Sequence, residues 1–144
     1  MKNNDWGVSS YPLVCGHEGV GRIVKMGKEV KKLHVGEMVG IGWIRNSCGC
    51  CRNCLRGEEN VCFKGYSGTI LGNTDVTAGT FAKHVRISEN FAYPIPEELD
   101  PIKAAPLMCA GMTVYQPMRR YINYPGQQVG VVGVGGLGHC AVKF

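Results

Sequence analysis

Cys48, Cys51, Cys54 and Cys62 carry the densest chemistry in the chain. They lie in Ser-Cys-Gly-Cys-Cys-Arg-Asn-Cys-Leu-Arg-Gly-Glu-Glu-Asn-Val-Cys, where two residues separate each of the first three cysteines and the fourth follows after seven more. Four thiolates from one short loop can close around Zn²⁺ as a tetrahedron with bonds of about 2.3 Å, which leaves no coordination place for a substrate. The expectation is a structural zinc whose binding energy doubles as local folding energy for a lobe with few apolar residues. Cys50 falls outside the spacing and reads as a bystander. Paired disulfides would call for an oxidising compartment. The start, Met-Lys-Asn-Asn-Asp-Trp-Gly, has no apolar segment of the signal-peptide kind. An iron–sulfur cluster also takes four cysteines, but this compact spacing without a Cys-Pro ending fits the ferredoxin patterns poorly.

A second constellation is Gly133-Val134-Gly135-Gly136-Leu137-Gly138, a G-x-G-x-x-G pattern directly after the apolar run Val129–Val132. In that context the glycines permit a tight turn and let backbone N–H groups approach a pyrophosphate at the positive end of a helix. The acidic or basic residue that would confirm the pattern lies about 20 positions on, past Phe144. Gly16-His17-Glu18 and the lone Cys109 are weaker signals. Such a histidine is most often a surface or turn residue, and such a cysteine most often a small buried hydrophobe.

Elements must position these groups. Gly19–Met26 is β-branched and loosely alternating and predicts a strand ending at Gly27; Val35–Ile41 predicts the next, entered through a turn at Gly36-Glu37. Thr80–Ile87 also alternates, so the first part of the chain is expected to be β-rich. Pro94-Ile95-Pro96 is a stiff connector. Asp100-Pro101 offers an N-cap followed by proline at the first helical position, and predicts a short helix over Ile102–Cys109. Thr113–Tyr121 predicts a second helix, weakened by Pro117, and Pro125-Gly126 breaks it. Val129–Val132 then reads as a buried strand running into the glycine turn and a helix that is just beginning at Phe144. A strand and the first turns of a helix are only the opening of a βαβ unit, so the chain is expected to be a fragment of a longer protein.

The 144 residues are 44% hydrophobic and 19% charged, ordinary for a globular chain with one core. Sixteen Lys and Arg against eleven Asp and Glu give a net charge of +5, but the basic residues are scattered, which argues for a solvated surface and against a nucleic-acid partner. No apolar run approaches the roughly 18 residues of a membrane span. Eight cysteines, five of them between 48 and 62, read as metal chemistry in a reducing, cytoplasmic compartment.

Taken in order, a Gly-His-Glu turn, a four-cysteine loop, a lone cysteine before a helix and a glycine fingerprint form a set. The residues are Tyr11-Pro12-Leu13-Val14 before Gly16-His17-Glu18; Ser47-Cys48 with Cys51, Cys54 and Cys62; Ala104-Ala105-Pro106-Leu107-Met108-Cys109-Ala110-Gly111 with Thr113-Val114-Tyr115; and Gly130 through His139. Over nearly its whole length the chain resembles the zinc-dependent medium-chain alcohol dehydrogenases, and within them the cinnamyl-alcohol dehydrogenase branch. The resemblance implies a mixed α and β architecture. A GroES-like β-rich catalytic domain would cover residues 1–112, with a structural zinc lobe at 47–63, and residues 113–144 would begin an NAD(P)-binding Rossmann domain. It implies His17 and Cys109 as ligands of a catalytic zinc, with Glu18 as the neighbouring carboxylate that can approach the metal. Thr113 and the turn Gly133, Val134, Gly135, Gly136, Leu137 and Gly138 would contact the cofactor, taken as NADP by analogy with the branch, with NAD as the alternative. The implied reaction is hydride transfer between a small primary alcohol or aldehyde and nicotinamide. The full-length protein would be a homodimer.

Three departures stand against the family pattern. The further ligand cysteine, in a Cys-His-Thr/Ser-Asp type motif, belongs several dozen residues before Gly16, upstream of this chain. Cys15 stands where the family usually has proline, and is either a substitute ligand or a tolerated change in a turn. The segment from Phe63 to Thr77 looks short, and Gly79-Thr80-Phe81-Ala82 replaces the usual Gly-Gly-Tyr-Ala. A truncated, non-catalytic zinc-binding module is therefore the alternative function, and a redox sensor built on Cys50 or Cys140 a third.

Overall fold

The computed structural model describes residues 3–7, 9–68 and 79–144. Most of the Phe63–Thr77 segment thus lies outside the described residues. Strands β1 (Gly19–Arg22), β2 (Met38–Ile41) and β5 (Ala92–Pro94) form an antiparallel sheet in the order β1-β2-β5, and β3 (Ile44–Asn46) pairs with β4 (Ser67–Gly68) in a two-stranded ribbon. Helix α1 (Arg52–Leu55) lies in the cysteine loop. Helices α2 (Pro101–Ala104), α3 (Ala110–Tyr121) and α4 (Gly136–Lys143) follow the sheet.

Register explains the core. Gly19 pairs with Ile41, Gly21 with Val39 and Ile41 with Ala92. Val39, Ile41, Phe91, Ala92 and Ile95 are all buried, joined by Ala104 and Ala110 from the helices. The sheet and the start of the helical part therefore share one apolar centre. Both strands are shorter than the predicted Gly19–Met26 and Val35–Ile41. The ladder persists one residue past β1, with Ile23 N–H donating to Glu37 O at 2.9 Å and Gly36 N–H to Ile23 O at 2.8 Å. It stops there because Gly36, at φ +95°, turns the chain away.

Thr80–Ile87 does not form a strand. Its first amides are taken elsewhere: Thr80 N–H donates to Gly16 O at 3.0 Å and Phe81 N–H to Cys15 O at 2.9 Å, so the segment is pinned to the Gly-His-Glu turn. Val129–Val132 is not a buried strand either, since no pairing partner exists among the described residues, and Val132 is fully exposed.

The helical predictions fare better. Asp100 caps α2 by accepting from Ile102 N–H at 2.9 Å, with Pro101 at the first helical position. The predicted 102–109 helix divides into α2 and a 3₁₀ turn over Ala105–Met108. That turn lies hard against β2: a Cβ on Gly40 would run into Met108 Sδ, and one on Gly42 would come 2.7 Å from Met108 O. Two glycines thus let the backbone before Cys109 reach the sheet. Helix α3 runs through Pro117, which has no N–H to offer the Thr113 carbonyl. On the far edge, the Glu89 carboxylate accepts the Lys31 and Lys32 N–H groups, each at 3.1 Å. The Lys32 and then the Lys31 N–H hold that carboxyl below its usual range, helped by the two lysine charges.

Candidate functional site

The cysteine lobe builds itself from local geometry. Gly49 turns the chain at φ +66°, and Cys51 in extended conformation leads into α1, which carries Cys54. Gly57, at φ +76°, ends that turn; Asn53 Nδ2 donates to Val61 O at 2.6 Å and folds the loop back so that Cys62 meets the others. The Sγ···Sγ separations are 3.5 Å for Cys51–Cys54, 3.8 Å for Cys48–Cys54 and 4.0 Å for Cys51–Cys62. A tetrahedron of sulfurs around zinc has edges of about 3.8 Å, given bonds of about 2.3 Å. These separations fit that ion and are far too long for disulfides, whose S–S bond is about 2.05 Å. Cys54 and Cys62 are buried, Cys48 and Cys51 half-buried, and Cys50 exposed, outside the cluster.

The thiols are unequal. Backbone N–H groups of Cys50 and Cys51 draw the Cys48 thiol down to about 6, so it meets a metal as thiolate at neutral pH. Hydrogen bonding from the Cys54 and Phe63 backbones also lowers Cys51. The Ser47 hydroxyl, 3.4 Å away, pulls Cys54 down, but burial and the hydrogen bonds shared with Cys51 and Cys62 outweigh it and push that thiol up to about 11.

The second group is drawn from segments far apart in sequence. His17 and Glu18 sit in the turn before β1, while Cys109 ends the 3₁₀ turn and caps α3; His17 Nε2 and Cys109 Sγ lie 3.1 Å apart across 92 residues of sequence. One ligand atom from each of His17, Glu18 and Cys109 lies within 4.8 Å of the other two, and all three residues are half-buried. Nitrogen and sulfur on one zinc at tetrahedral angles would be about 3.6 Å apart, so the pair needs only slight opening to share an ion. A Glu18 oxygen accepts Ala110 N–H at 3.3 Å, which ties the carboxylate to the first turn of α3. Burial first, then the Glu18 charge, pushes the Cys109 thiol up, against a hydrogen bond with the Thr113 side chain. A metal here would displace a proton that burial of the thiol favours keeping. Cys15 is not among the gathered ligand atoms.

One neighbour of His17 carried no signal in the sequence. The Trp43 ring meets the imidazole edge-on, with centroids 5.7 Å apart, and its indole N–H donates to the Tyr66 hydroxyl at 3.2 Å. Thr80 and Phe81, read as a strand, instead press on Gly16.

The glycine turn has the shape its pattern predicts. Gly133 adopts φ +84°, Gly135 caps α4, and a Cβ on Gly138 would run into the Gly133 carbonyl. The first glycine makes the turn and the last permits close packing. Gly133, Gly135, Gly136, Leu137 and Gly138 line a shallow concavity of about 410 Å³ closed on one side by Val114 of α3; Val134 points outward. Thr113 lies beside it, next to Cys109.

The alcohol dehydrogenase GroES-like domain profile matches residues 1–97. Cinnamyl alcohol dehydrogenase 8 of Arabidopsis thaliana is 47% identical over 148 aligned residues, covering all of this chain and 41% of that protein. Among solved structures, a cinnamyl alcohol dehydrogenase from Sorghum bicolor superposes with a TM-score of 0.88 at 43% identity, over 98% of this chain and 41% of its own. The corresponding enzyme of Helicobacter pylori, complexed with NADP(H), gives 0.85 at 35% identity, over 94% and 40%. The chain thus spans about two fifths of the length of these relatives. From the paired β1 and β2 to the cysteine lobe and the turn that presents His17, it belongs to the alcohol dehydrogenases with a GroES-like domain.

Proposed function

We propose that the protein containing this chain is a zinc-dependent oxidoreductase that interconverts primary alcohols and aldehydes by hydride transfer with NADP(H), in the manner of the cinnamyl alcohol dehydrogenases it is similar to. The supporting observation is that His17, Glu18 and Cys109, the first two 92 and 91 positions before the third, bring one ligand atom each to within 4.8 Å of the others. A structural site could be built within one loop, as the cysteines do. A half-buried site assembled from the turn before β1 and the start of α3 is suited to meet a substrate. Zinc bound there would act as a Lewis acid, lowering the pKa of an alcohol or polarising an aldehyde.

The residues of the chain have separate tasks in this reading. His17 and Cys109 hold the ion from two sides, and Glu18, steadied by Ala110 N–H, offers a carboxylate beside them. Trp43 walls the imidazole on one edge. Cys48, Cys51, Cys54 and Cys62 brace a second zinc. Gly133, Val134, Gly135, Gly136, Leu137 and Gly138 present backbone N–H groups and the positive end of α4 to a pyrophosphate, with Thr113 between the two sites. Residues 1–112 are then the catalytic domain, with its zinc lobe at 47–63, and residues 113–144 the opening of the Rossmann domain. NADP is preferred over NAD, and the full-length protein is a cytoplasmic homodimer.

One observation favours the reading as a non-catalytic zinc module: the four-cysteine lobe closes within one loop, without ligand atoms from the rest of the described fold. A metal assay beside a cofactor-linked rate measurement separates the two. The enzyme holds two zincs per chain and reduces NADP in the presence of an alcohol, whereas the module holds one zinc and turns nothing over.

A further inference from the structure

The turn that carries His17 and Glu18 is gripped from outside by residues 79–81. Thr80 and Phe81 donate their N–H groups to the Gly16 and Cys15 carbonyls at 3.0 and 2.9 Å. Gly79 lies so close beneath that a Cβ on it would run into the Val14 and Cys15 carbonyls. The Thr80 side chain then fills the space over the turn. A Cβ on Gly16, which sits at φ +105°, would be 2.6 Å from Thr80 Oγ1 and 2.7 Å from Phe81 Cδ1. A Cβ on Gly19 would be 2.7 Å from both Thr80 Cβ and Cγ2. One side chain therefore plugs the gaps left by both glycines that flank His17 and Glu18. Its hydroxyl is shielded from solvent and has no hydrogen-bond partner among the described residues. The contacts that Thr80 makes with the turn are contacts of shape, through its Cβ, Cγ2 and Oγ1 atoms.

We propose that Thr80 is a positioning residue for the His17–Glu18–Cys109 site, acting as a steric clamp on the Gly16–Gly19 turn and so fixing where the imidazole and carboxylate point. This rests on the reading of those three residues as a metal site. The clamp acts through the turn, since the Thr80 contacts described are to Gly16 and Gly19. Outer groups that orient metal ligands typically account for about 10–100-fold in metal affinity.

The test measures zinc affinity of the protein at its natural length by chelator competition, resolving the four-cysteine site from the second site. Thr80→Val keeps the shape and drops the hydroxyl; it is expected to stay within about twofold of the parent at the second site. Thr80→Gly opens the clamp and is expected to weaken that site by about tenfold or more, with the four-cysteine affinity unchanged in both. Should Thr80→Gly fail to fold, Thr80→Ala takes its place, with a loss between those two. Gly19→Ala alone is expected to weaken the second site, and to cost little once Thr80→Gly has removed the atoms it would strike. Equal losses in Thr80→Val and Thr80→Gly, no loss in Thr80→Gly, or an undiminished Gly19→Ala effect in the Thr80→Gly background would each overturn the clamp. If the parent binds zinc only at the cysteines, the metal reading fails on its own. The clamp is then judged by the His17 imidazole NMR signals: a shift in Thr80→Gly but not in Thr80→Val supports it, and no shift in either ends it.

Discussion

The cysteine lobe and the His17–Glu18–Cys109 group use the same side-chain chemistry but are assembled in opposite ways. Within the lobe the described sulfur contacts join residues no more than 11 apart in sequence, and the loop folds upon itself through α1 and the Asn53 hydrogen bond. In the second group the partners stand 92 positions apart, and they are brought together where Gly40 and Gly42 admit Met108 and residues 79–81 pack on the opposite turn. A locally closed site is insulated from the rest of the fold and has little left to offer a substrate. A site assembled at long range inherits every displacement of the elements that carry it. That sensitivity is useful where a reacting molecule must be placed, and costly where only a brace is needed.

The contrast can be broken most forcefully at the lobe. Cys54→Ser, or treatment with a strong chelator, is expected to destabilise residues 47–63 by more than about 4 kcal/mol, since in the proposed reading a zinc held there would supply the lobe's folding energy. Limited proteolysis would show new cuts between Cys48 and Cys62 and one zinc fewer per chain. Retained resistance to protease would mean that the loop is held by something other than the ion.

His17→Ala and Cys109→Ala should do the reverse. Each is expected to remove the other zinc and reduce alcohol-dependent turnover by more than about 100-fold, exceeding the loss of an outer partner, while the protease pattern of the lobe stays as in the parent. If both zincs are lost together, the two sites are not independent and the contrast fails. Glu18→Gln sharpens the picture: the Ala110 N–H bond can persist while the charge goes, and a fall of about 10-fold in affinity is expected at this site alone.

Gly138→Ala probes the third region. The added methyl meets the Gly133 carbonyl, so the turn must open; cofactor affinity measured by fluorescence titration should fall by about tenfold, or 1.4 kcal/mol, with both zincs in place. The smallest effect belongs to Glu89. Its carboxyl lies below the usual 4.5, so the stability it lends is present above pH 4.5 and is lost as pH falls through the lower folded value. Glu89→Gln should flatten the acid limb of thermal stability below pH 4.5 while leaving the neutral region nearly unchanged, which a pH series of melting curves would read directly.

Much of the site could be read from the chain because its signals are local. Cysteine spacing reports a loop that closes on itself, and the G-x-G-x-x-G turn carries its own backbone requirement at Gly133 and Gly138. Asp100-Pro101 announced α2 for the same reason, as a cap needs only neighbours two residues away. The errors fall where pairing partners decide. Thr80–Ile87 alternates like a strand, yet its leading amides are spent on Cys15 and Gly16. Val129–Val132 has the composition of a buried strand, and without a neighbour among the described residues an apolar run stays open to water. Trp43 against His17 and Met108 against Gly40 have no periodicity to betray them. They are meetings between segments that only the folded chain brings together.

Cys109 belongs to two structures at once, closing the 3₁₀ turn that leans on the sheet and capping α3. It therefore sits at a pivot. Twelve residues of helix extend about 18 Å from it, so a tilt of roughly 10° about Cys109 would carry Tyr121 about 3 Å while its thiol hardly moved. Among the described elements α3 runs from the turn that leans on the sheet to α4, and the sulfur lies at its sheet end, where such a tilt would displace it least.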